Sequence, residues 1–135
     1  MGAWGHKSFE NDDALDWLAE LTGEDEGVMQ LEAAIETVAG AEHDEDVELT
    51  EACAALAAAE LIAATHGQGV DRLPDDAAAW LRVHRDQVLP LGIARARSAV
   101  QRVLNASELR ACWDAQGEDA GWHQDVRDLS RRLSV

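Results

Sequence analysis

The chain has 135 residues and a net charge of −16, from 11 Lys and Arg against 27 Asp and Glu with His counted neutral. That length fits one domain, residues 1–135, and a helical domain of this size buries a core without disulfides or metal. Residues 1–50 hold one cation, Lys7, against fifteen acids, hence −14, while residues 51–135 hold ten Arg against twelve acids, hence −2. This argues against nucleic acid and an anionic membrane as partners. The acidic part reads either as a solubilising surface paired in places with Arg of the same chain, the reading with more weight, or as a face that steers a basic partner.

Residues 1–9 read as an ordered loop docked on the body, because Trp4 stands between Gly2 and Gly5 and an indole on a turn is usually there to be buried. Asn11 reads as the N-cap of a first helix, with Asp12 and Asp13 in its first turn and Gly23 as its stop. A second helix is expected over about 24–38, with Val28, Leu31, Ile35 and Val38 at helical spacing and Gly40 as terminator. An acidic connector, 42–48, follows.

The third helix, about 50–65, is Ala-rich with almost no polar face, which marks a central helix. Glu60 is its exception, on the stripe of Cys53, Leu56, Ala57 and Ala64. Pro74 opens a fourth helix that runs through Trp80, Leu81, His84 and Val88 until Pro90. A fifth helix covers about 91–104, with Arg95 and Arg102 among its polar positions. Ser107 caps a short sixth helix stopped by Gly117. The last helix carries Trp122, Val126, Leu129 and Leu133 on one stripe, with Arg131 and Arg132 in its last turn, where cations suit the dipole. The expected fold is therefore all-α, a compact bundle of six or seven short helices around the Ala-rich third.

No apolar run reaches the roughly 20 residues of a membrane span, and the N-terminus lacks a basic start and apolar stretch. The expected location is cytoplasmic. Cys53 and Cys112 sit in apolar helical stretches and read as reduced core thiols.

Several stretches resemble one family. They are Met1-Gly2-Ala3-Trp4-Gly5, Phe9 to Ala14, Asp16-Trp17-Leu18, Ala57 to Glu60, Leu73-Pro74, Ser107 to Arg110 with Trp113, and the Trp122 helix. Together they are similar to domain of unknown function 4259, over essentially the whole chain. The resemblance implies domain boundaries and a bacterial, cytoplasmic setting. It implies no activity, substrate or catalytic residue.

Glu60 is the residue most suggestive of chemistry, because an ionised carboxylate in an apolar core needs a partner. It reads either as a general acid/base or metal ligand, with His84 as a helper, or as a structural partner of an Arg, a Trp indole or a backbone amide of the N-terminal loop. The structural reading carries more weight, since buried ion pairs are commonly architectural. The Asn11-Asp12-Asp13 run reads as a helix cap rather than a cation site. An EF-hand loop from Asp44 fails at Leu49, where glycine is required. No metal-ligand spacing, nucleophile elbow or phosphate loop is found, so neither a metal, a cofactor nor a catalytic residue is expected.

Three functions follow as expectations. The first is a non-enzymatic acidic module that binds a basic protein, of the inhibitor or immunity kind. The second is a small ligand- or metal-binding domain or enzyme centred on Glu60. The third is a self-associating protein whose homodimer face bears Trp113 or Trp122.

Overall fold

The structure, a computed structural model, describes residues 3, 5–23, 25–116 and 121–134. Among these residues seven α-helices and no strand are found: α1 (Asp12–Gly23), α2 (Gly27–Ala39), α3 (Leu49–Thr65), α4 (Asp75–Val88), α5 (Ala94–Asn105), α6 (Glu108–Asp114) and α7 (Trp122–Arg132). Trp4 of the expected docked loop and the expected stop Gly117 lie outside the described residues.

The caps explain most of the boundaries. Asn11 Oδ1 accepts the Ala14 amide at 2.8 Å and starts α1. Glu48 and Glu51 form a reciprocal capping box at the start of α3. The Ser107 hydroxyl accepts the Arg110 amide at 3.1 Å and starts α6. The α2 helix begins at Gly27 rather than near residue 24. The α5 helix begins at Ala94 rather than 91. Pro90 lies in a short 3-10 turn there, and Gly92 takes φ +78, so the chain cannot enter the α-helix before them.

The α3 helix is the strut of the bundle. From Ala52 to Thr65 every residue is buried, and the helix packs against α1, α2, α4, α5, α6 and α7. Its alanines make this possible, because a helix with small side chains on every face lets several neighbours approach closely. Leu21, Leu31, Ile35, Val38, Val100, Val103 and Leu129 close the core around it. Trp113 and Trp122, which fall on helix stripes, belong to this core at 9% and 2% exposure and so do not form the homodimer face considered for them. No helix among the described residues is long and apolar enough to cross a membrane.

Candidate functional site

Glu60 lies in the middle of α3 and is 2% exposed. Taking a carboxylate out of water costs several kcal/mol, roughly, even after relaxation. The fold offsets that cost with two groups from distant parts of the chain. The Arg132 guanidinium at the end of α7 meets it in a fork, with Nη1 to Oε1 at 2.7 Å and Nη2 to Oε2 at 3.3 Å. The Ser8 hydroxyl of the N-terminal segment donates to Oε2 at 2.9 Å.

A second arginine widens the pair into a cluster. Arg72, from the 3-10 turn Val70–Arg72, places Nε 3.9 Å from Glu60 Oε2. Its Nη2 is paired with Asp125, and its Nη1 lies 3.8 Å from Asp128. Arg132 Nε donates to Asp128 at 2.8 Å, and Arg131 pairs with the same carboxylate from the solvent side. Burial would raise the Asp128 pKa, yet the hydrogen bonds and charges of Arg132 and Arg131 hold it below the usual aspartate value. Burial would likewise lower Arg132, but Glu60 and Asp128 keep its pKa above the ordinary arginine value.

Gly69 makes room for this arrangement. Its φ is +83, and a Cβ there would stand 2.5 Å from Arg132 Nη1. The turn that delivers Arg72 therefore also clears the path of Arg132.

A cleft of about 270 Å³ opens beside the cluster, between Lys7, Ser8, Phe9 and Glu10 on one side and Arg72, Leu73 and Pro74 on the other, with Glu60 in its lining. Both Glu60 oxygens are engaged there, by the Arg132 fork and by the Ser8 hydroxyl. His84 has a different setting. Its ring stacks on Trp80 with centroids 4.4 Å apart, its Nδ1 lies 2.9 Å from the Trp80 carbonyl oxygen, and it is not in the lining of the Glu60 cleft. Among the described residues no group of three or more His, Cys, Asp or Glu is placed to hold a metal ion.

The cysteines are both unpaired. Burial, with the charge of Asp13 adding to it, pushes the Cys53 thiol up to about 12.

Sequence reasoning singled out Glu60 and named an Arg or the N-terminal loop as its structural partner, but not which Arg. The helix dipole alone accounts for Arg132 in the sequence. The missed signal is its register: it lies three and seven residues after Leu129 and Asp125, on the inner side of α7. Ser8 gave no signal of its own.

The acids of residues 1–50 have the opposite environment. All those described are exposed except Glu10 and Asp13, which are half-buried. Among the described residues only Glu36 of this set meets an arginine side chain: Arg95 binds it with Nε at 2.9 Å and Nη2 at 2.5 Å, which lowers its pKa. Arg102 reaches the acidic connector but binds backbone, the carbonyls of Ala41, Glu42 and Glu45, and leaves the carboxylates free of it. A second cleft of about 390 Å³ lies there, lined by His43, Asp44, Glu45 and Asp46 of the connector and by Glu108 and Ala111 of α6.

Comparison with curated proteins finds no match, and comparison with solved structures finds none. The family model for domain of unknown function 4259 matches residues 2–125, which takes in Ser8, Glu60, Arg72 and Asp125 and stops short of Asp128 and Arg132. With nearly all of its length so matched, the chain belongs to the family of domain of unknown function 4259.

Proposed function

We propose that this chain is a non-enzymatic, cytoplasmic interaction domain that binds a basic protein, in the manner of an inhibitor or immunity protein. One observation carries the reading. Apart from the half-buried Asp13, the carboxylates of α1, α2 and the connector that are described stand exposed with almost no internal cation, while Arg72, Arg95, Arg102, Arg131 and Arg132 serve Glu60, Asp125, Asp128, Glu36 and backbone carbonyls instead. Such a surface repels itself and gains most when a cationic partner covers it. The test is affinity purification of the tagged chain at low salt, with mass spectrometry of what elutes as salt rises. Release of one basic protein is the expected result. An empty eluate removes the reading.

A second reading, a small-ligand site, draws support from the cleft beside Glu60, where Ser8, Arg72 and Lys7 offer donors around a carboxylate. Its test is a thermal-shift screen of polar metabolites: a stabilising hit that Glu60→Gln abolishes supports it, and a blank screen counts against it.

A further inference from the structure

The α2 helix buries Leu31, Ile35 and Val38 against the body. Its next face carries Gln30 and then the small residues Ala33, Ala34 and Thr37, which lie across from Thr50 and Ala54 in the first turns of α3 and beside Trp17 of α1. Small side chains on both helices leave the space between them unfilled, an open groove of about 230 Å³.

Three of the polar groups around that groove already have partners within the chain. The Thr37 hydroxyl donates to the Ala33 carbonyl at 2.8 Å, and the Gln30 amide donates to the Trp17 carbonyl at 3.2 Å. Glu51 Oε1 accepts the Glu48 amide at 3.3 Å. An aliphatic side chain that enters therefore expels water without leaving these groups unpaired. The groove is open and lined mainly by small side chains, which suits one or two anchors of a docked helix.

Charge identifies the occupant. No Lys or Arg lines the groove. Asp13 and Glu20 flank Trp17 at four residues before and three after, and Glu48 and Glu51 open α3 on the other side. Met29, 66% exposed and one turn before Ala33, prolongs the apolar strip. We infer that this groove seats a basic amphipathic helix of the partner, its aliphatic anchors against Trp17, Ala33, Ala34 and Ala54 and its Lys or Arg side chains against the acidic rim. The inference rests on the acidic-domain reading and adds to it a place and a mode of recognition.

The experiment titrates the full-length, ¹⁵N-labelled chain at low salt with two synthetic peptides of identical Lys and Leu composition. One repeats Leu at i, i+3, i+4 and i+7; the other scatters the same residues around the helix. The patterned peptide should bind about tenfold more tightly than the scattered one, with amide and indole shifts concentrated at Trp17, Ala33, Ala34 and Ala54. Ala33→Gln keeps the net charge and alters an exposed helical position, and it should reduce patterned binding to the scattered level. If both peptides bind alike, with salt-sensitive shifts spread over the acidic face, the groove is overturned and the acidic reading stands. If neither binds at low salt, both fall.

Discussion

Glu60 and Asp125 are buried and face the guanidinium groups of Arg132 and Arg72, whereas the acids of α1, α2 and the connector stand in water with Glu36 alone paired to an arginine among the described residues. The same functional group thus does two different things. In the dry centre a carboxylate has to be neutralised by the fold itself, so Glu60 ties together the N-terminal segment, α3, the turn before α4 and α7. On the surface, water does the solvating, and the charge remains available to another molecule.

The sharpest way to break this contrast is to strip Glu60 of its partner. Arg132→Ala leaves the buried Glu60 carboxylate with only the Ser8 hydroxyl and the more distant Arg72 guanidinium, and should cost about 3 kcal/mol in urea unfolding. The double change Glu60→Leu with Arg132→Met should recover most of that loss, because an apolar pair needs no desolvation to be offset. An Arg132→Ala cost near zero would mean the pair is not formed in solution.

Gly69→Ala comes next, with an expected loss of about 1–2 kcal/mol from the left-handed backbone alone and more from the displaced Arg132. Ser8→Ala removes one hydrogen bond to a charged acceptor and should cost about 1.5 kcal/mol.

A pH titration sharpens the comparison further. Asp128 has a folded pKa below its unfolded value, so its contribution is complete above the unfolded pKa and is lost as pH falls through the folded one. Glu36 behaves in the same sense with a smaller effect, since its pair is half exposed. Thermal stability should therefore drop below about pH 4, the range of unperturbed carboxyl groups. The smallest effect belongs to the surface. Glu36→Gln should cost less than about 1 kcal/mol, and the loss should shrink as salt rises.

The architecture was legible where local rules decide it. A helix with no polar face has to be central, and α3 is. Asn11 and Ser107 are caps as their positions imply. Glu60 stood out because it is the one charge on an apolar stripe. Its partner was not legible, because Arg132 is 72 residues away and its last-turn position already has a sufficient local explanation in the helix dipole. The Trp80–His84 stacking follows from a spacing of four. The start of α5 was misplaced because apolar periodicity continues through Leu91 while Pro90 and Gly92 forbid the helix there. Trp113 and Trp122 could be read as buried or as an interface from periodicity alone, and only tertiary packing decides for the core.

The central claim is that Glu60 builds the scaffold and the exposed acids meet the partner. The most direct measurement compares low-salt capture by the wild type, by Glu60→Gln, and by a variant with Asp16→Asn, Glu20→Gln and Glu32→Gln, all three at exposed positions. The account predicts that folded Glu60→Gln retains the basic protein and that the triple variant releases it at lower salt. Loss of the partner by a folded Glu60→Gln, with full retention by the triple variant, would contradict it and move the function to the buried cluster.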